Sequence, residues 1–150
     1  MGRYIDENLA KDEKLIYETR LHWIVFFWPG VFLLFTLIGL PSIKLVPGFF
    51  WTFFIITIIT GGLTYLNRKS SEFALTNKRI LIKVGVFSVK TLETQLNKIS
   101  NISVSQGILG RILGYGSVLI ASTGGVKETY PRIENPIEFK KKIQEHIENH

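Results

Sequence analysis

The sequence predicts a membrane-anchored α+β protein. A two-helix transmembrane hairpin is joined to a small domain of six or seven short antiparallel strands and one C-terminal helix. Three observations predict this. Residues 23–40 (WIVFFWPGVFLLFTLIGL) and 49–66 (FFWTFFIITIITGGLTYL) are runs of 18 residues without Asp, Glu, Lys, Arg or His. The residues after them alternate in polarity with period two between turn residues. The last segment, after Asn135-Pro136, changes to a helical period.

The two runs come first. As helices they span roughly 27 Å at about 1.5 Å per residue, close to a ~30 Å hydrocarbon core. Trp23, Trp51 and Tyr65 lie near their ends, where aromatic residues anchor at the membrane interface. A chain of 150 residues cannot easily surround two uncharged helices as a soluble core. The first run starts too late, and lacks the small-residue site, for a cleaved signal peptide. Residues 41–48 (PSIKLVPG) make a short linker with two prolines, so both chain ends are expected on one side. Arg3, Lys11, Lys14 and Arg20 precede the hairpin. Arg68, Lys69, Lys78 and Arg79 follow it, whereas the linker holds only Lys44. The positive-inside rule then places both termini in the cytoplasm. The absence of cysteine agrees with a reducing compartment.

The expected domains are a tail over 1–22, the hairpin over 23–66 and a cytoplasmic domain over 67–150. The tail carries net charge −1 and residues 67–150 carry +6. The basic excess thus lies on the part expected beside an anionic leaflet. In the tail, residues 13–22 (EKLIYETRLH) alternate as a strand, with an amphipathic helix as the rival reading. Strands follow at 72–76, 79–84, 89–96, 99–105, 117–122 and 126–131, with Pro131 at the end of the last. The closing helix is read from Asn135 as cap, Pro136 at the first position and Glu138 three after the cap. Its apolar stripe is Phe139, Ile143 and Ile147.

Several blocks together resemble a known family. EKLIYETRLHWIVF leads into the membrane, FALTNKRILIKVGVFS forms a strand pair, ISNISVSQGILGRILGYGSVLI is a glycine-rich block and NPIEFKKKIQ opens the closing helix. In this order they resemble bacterial pleckstrin-homology-like proteins with a two-helix membrane anchor. That family is called bacterial PH domain 2 and was formerly a domain of unknown function. The resemblance implies a partly open β-barrel capped by the C-terminal helix, and a bacterial or archaeal plasma membrane as its location. It implies little about activity, because PH-like folds host lipid binding, peptide binding and scaffolding. Some eukaryotic relatives bind phosphoinositides through basic residues at the turn between the first two strands. The nearest positions here are Lys78 and Arg79, with Lys83 further along.

Residues 108–116 (ILGRILGYG) raise the question of a phosphate loop. The spacing of Gly107, Gly110, Gly114 and Gly116 fits no dinucleotide fingerprint, and Gly-Lys-Ser/Thr is absent. Ile108, Leu109, Ile112 and Leu113 instead share one face of a short helical turn. They either plug one end of the barrel or form a foot that touches lipid, with Arg111 snorkelling to headgroups. Catalysis finds no support: no thiol, aspartates only in the tail, and no paired acid and base. His146 and His150 are i, i+4, without an evident third metal ligand. No metal, cofactor or nucleic-acid partner is expected. Thr36, Thr57 and Thr60 are the hydroxyls well inside the runs, too few for a transport path. The expected function is a non-catalytic, membrane-anchored interaction module for a membrane protein partner or a second copy. The alternative is anionic-lipid sensing through Lys78, Arg79, Lys83 and the 108–113 foot. A minimal transporter or channel is a minor third reading.

Overall fold

The computed structural model describes residues 3–42 and 44–149. Ile43, within the expected linker, and His150 lie outside the described residues. The chain divides into two compact units, one of residues 1–22 with 70–150 and one of residues 23–69.

The described residues of the first unit form seven strands and three helices. Helix α1 (Arg3–Asn8) precedes strand β1 (Leu15–Thr19). Strands β2 (Glu72–Thr76), β3 (Arg79–Val84) and β4 (Lys90–Gln95) complete an antiparallel sheet in the order β1-β2-β3-β4. Strands β5 (Ile99–Ser105), β6 (Tyr115–Ser122) and β7 (Lys127–Glu134) form a second antiparallel sheet in that order. Two further helices belong to this unit. They are numbered after the pair in the other unit: α4 (Ile108–Leu113) and α5 (Pro136–Glu148).

The strand before the apolar runs therefore joins the sheet. It is shorter than the expected 13–22 because its register shifts between Leu15 and Tyr17, and because residues 20–22 leave β2 for β7. Leu21 bridges Ile133, the His22 N–H donates to the Arg132 carbonyl at 2.7 Å, and the Glu134 N–H donates to the Arg20 carbonyl at 2.9 Å. One segment thus pairs with both sheets and ties them together. The core lies between them. Phe73, Leu75, Ile80 and Ile82 of the first sheet and Val118, Ile120, Tyr130 and Ile133 of the second are buried. The Phe73 and Tyr130 rings meet edge-on at 5.7 Å. Phe139 and Ile143 of α5 are fully buried, and Phe139 lies 6.0 Å from the Tyr17 ring.

Two local expectations are corrected. Pro131 does not end the last strand; it sits inside β7, which runs to Glu134. The register shifts between Gly116 and Val118 on β6, and Arg132 takes a left-handed φ of 59°. A bulge in an outer strand tolerates the missing N–H, so the strand continues past the proline. Asn135 precedes α5 without a side-chain cap bond. It is left-handed (φ 47°), and its backbone N–H reaches the Gly114 carbonyl at 2.9 Å.

In the second unit, α2 (Phe27–Gly39) is preceded by a 3-10 turn at Trp23–Phe26, and α3 spans Pro47–Ser70. The first apolar run is therefore not one 18-residue α-helix. Pro29 explains the break: its ring clashes with the carbonyl four residues back, at Val25, so the chain before Phe27 tightens to 3-10. The 13 residues of α2 are about 20 Å long, and the 24 of α3 about 36 Å. Among the described residues, α3 alone is long and apolar enough to cross a membrane, with a mean hydropathy of 1.7 over its best window. The two helices pack as an antiparallel pair. The Thr36 and Thr57 hydroxyl oxygens lie 3.3 Å apart, the Phe35 and Phe53 rings lie 5.4 Å apart, and a Cβ on Gly39 would meet the Phe49 ring at 3.0 Å. Thr36, Thr57 and Thr60 also donate to their own helices, at the Phe32, Phe53 and Ile56 carbonyls.

Candidate functional site

The turn Thr76–Arg79 between β2 and β3 is a receptor for the N-terminal tail. Asn77 grips the chain before β1 three times. Its side-chain oxygen accepts from the Lys14 N–H at 2.9 Å, its amide donates to the Asp12 carbonyl at 3.3 Å, and its N–H donates to the Lys14 carbonyl at 3.1 Å. Arg79 forms a bidentate pair with Glu13, Nε to Oε1 and Nη2 to Oε2, both at 2.9 Å. Its Nη1 donates to Glu93 Oε2 at 2.8 Å and its Nη2 to the Asn8 carbonyl at 2.8 Å. Glu13 also accepts from the Thr76 hydroxyl at 2.6 Å and the Ala10 N–H at 3.1 Å. Burial of the Glu13 carboxyl opposes its ionisation. The bonds from Arg79, Thr76 and Ala10 outweigh that and bring its pKa down from 4.5 to about 2. Pairing with Glu13 pushes the Arg79 pKa up against burial.

The tail continues across the outer face of the first sheet. Ile5 is buried against Ala74 and Leu81, with Leu9 and Leu15 packed around them. The Ile5 N–H donates to Glu72, the Tyr4 hydroxyl donates to Glu93, and the Lys83 ammonium lies 4.9 Å above the Tyr4 ring. Of the three expected lipid-binding cations, then, Arg79 and Lys83 engage the tail. Lys78 is exposed and lines a cavity of about 370 Å³ with Asn77, Gln95, Leu96 and Asn97. The turn carrying them joins the second and third strands. The connection between the first two strands is residues 20–71, which contain the apolar helices.

The 108–113 segment is helical, but its apolar residues do not plug the barrel. Ile108, Leu109 and Ile112 are exposed, Ile108 by 82%, and Arg111 is exposed beside them. The packed side of α4 is Gly110, where a Cβ would lie 2.5 Å from the Tyr115 carbonyl oxygen. Gln106 fastens the turn by donating to the Gly110 and Tyr115 carbonyls. Gly114 ends the helix in the left-handed region at φ 80°. His22 is buried in the β-unit, with its ring stacked 5.3 Å from Tyr115.

Trp23, Trp51 and Tyr65 are exposed on the apolar unit, and Arg68 and Lys69 occupy the last turn of α3. No cluster of three potential metal ligands occurs among the described residues. Each sheet keeps an outer strand, β4 and β5, and no ladder joins these two among the described residues. Beside β4 runs a groove of about 300 Å³, between Leu92–Gln95 and the residues Lys98, Ser122 and Val126. Sequence reasoning missed this groove, and it missed Glu13, Thr76 and Asn77 as the receptor. The Thr-Asn-x-Arg-Ile motif was the available signal.

Two antiparallel sheets of four and three strands with a C-terminal helix define a PH-like α+β fold. The chain belongs to the bacterial PH domain family, whose model matches residues 30–147. Domains of this class are commonly interaction or lipid-binding modules and are generally non-catalytic. The chain is also similar to a solved structure, a DUF1696 family protein with a pleckstrin-homology domain from Shewanella loihica PV-4. The identity is 9%, the match covers 97% of this chain and 91% of that one, and the TM-score is 0.49. Comparison with curated proteins returns no match.

Proposed function

We propose that the protein is a membrane-anchored, non-catalytic interaction module. Residues 23–66 sit in the bilayer, both termini lie on the cytoplasmic side, and the PH-like unit binds a protein partner at the membrane face. The observation that supports anchoring is the bare surface of α3, with 6% of its most apolar window buried. A core helix of a soluble protein is covered by its own chain; this one needs an apolar surrounding. The free edge of β4 and the groove beside it support partner binding by strand addition, in which backbone bonds join an extended segment to the sheet. The partner is a membrane protein or a second copy of this chain.

The test uses the full chain purified from its native membrane. A partner bound at β4 is lost with proline at Thr91 or Leu92, which removes a backbone donor from that strand, and is retained with Lys78→Ala. Retention with both prolines rejects the edge. A second reading, binding of anionic headgroups, is favoured by exposed Lys78 at its cavity and by the uncovered apolar side of α4. It predicts affinity for anionic over neutral vesicles that falls with salt and with Lys78→Ala.

A further inference from the structure

The chain leaves the β-unit after His22 and returns at Ser70. Strand register fixes what lies beside that crossing. Thr19 pairs with Phe73, and Glu72 pairs with Lys83. The end of β1, the start of β2 and the end of β3 therefore share one end of the first sheet. The β3–β4 connection, residues 85–89, projects from that same end. Phe87 lies four residues past Lys83, a reach of at most about 13 Å. On the neighbouring strand, Ser70 lies two residues before Glu72 and ends α3, with Arg68 and Lys69 in its last turn.

The connection is built to hold its tip outward. Gly85 has φ 106°, and a Cβ there would collide with the Ser88 carbonyl oxygen, so this closed turn requires glycine. The turn displays Phe87 at 86% exposure and Val89 at 50%, followed by exposed Lys90. The turn thus presents an aromatic residue to solvent at the end of the sheet where the chain passes into an apolar helix. We infer that the tip of the β3–β4 connection seats Phe87 and Val89 in the interfacial layer of the bilayer, with Lys90 at the headgroups. The inference rests on the membrane reading proposed above. The headgroup layer is about 5–8 Å thick on each side. The contact is apolar, so it does not depend on anionic lipid.

The chain has no cysteine, so Ser88→Cys carries a single spin label. The full chain is reconstituted in phosphatidylcholine vesicles, with and without phosphatidylglycerol. Accessibility to oxygen is compared with accessibility to a water-soluble nickel complex. Labels at Ile58 in α3 and Lys141 in α5 give the lipid and water references. The expected result is an oxygen preference at Ser88 several-fold above that at Lys141 in both lipids, abolished by Phe87→Ser. A label at Val89 gives the same reading if the Ser88 label disturbs the turn. A Ser88 label that reads like Lys141, while Ile58 reads as lipid, overturns this inference alone. If Ile58 also reads as water, the membrane reading fails and the inference falls with it.

Discussion

Glu13 gathers the tail, the β2–β3 turn and β4 through a guanidinium that its own carboxylate orients. Its side chain is 1% exposed, so removing the cation leaves a carboxylate without its strongest partner. Arg79→Ala is expected to lower stability by about 2–3 kcal/mol, below the full buried-pair cost because Arg79 is partly exposed. Hydrogen exchange should then rise over residues 3–14. The pH dependence has a definite sign. The folded Glu13 pKa is depressed, so its contribution is complete above about 4.5 and is lost as pH falls through about 2. Glu13→Gln should flatten that stretch of the stability profile, measured by denaturant midpoints across it. This pair was not legible in the sequence. Its members are 66 positions apart, and no local pattern links an acid in a tail to an arginine in a turn. Thr-Asn-x-Arg was visible as a motif, but its cations read as ligands for something outside the chain.

Strands β2, β3 and β5 follow the bounds that period-two alternation predicts, because their ladders run without bulges across the matched residues or shift only at one end. β1 and β7 departed from expectation where bulges broke the alternation. The closing helix was legible from Pro136 and its apolar stripe. Phe139→Ala should cost about 3–5 kcal/mol by emptying the site against Tyr17, read as a lowered denaturant midpoint with an unchanged slope. The exposure of α4 was not legible, because a run of Ile and Leu reads first as a plug of the barrel and only second as a foot. Gly110 decides between them by packing on Tyr115. Gly110→Ala should lift α4 from β6 and raise exchange at residues 106–115, whereas Gly107→Ala meets nothing within 4 Å and should leave exchange there unchanged.

At the scale of the molecule, the β-unit is assembled from two separated stretches. Residues 70–150 alone lack β1, the bridge to β7 and the Ile5 cover over Ala74 and Leu81. That fragment should melt without a cooperative transition. Joining residues 3–22 to it through a flexible linker should restore one, followed by circular dichroism. The sequence made the apolar runs plain but not the length of the first helix, since Pro29 shortens it by a device that composition does not register.

The discontinuity also sets an order of events at the ribosome. β1 is made early, but Thr76, the partner of Leu15, is made 61 residues later. At roughly 5–20 residues per second, the first strand waits about 3–12 seconds for its neighbour. The helix pair is synthesised during that interval. The β-unit therefore closes only on a chain whose apolar segments have already emerged, and sheet completion becomes a late step that follows their production.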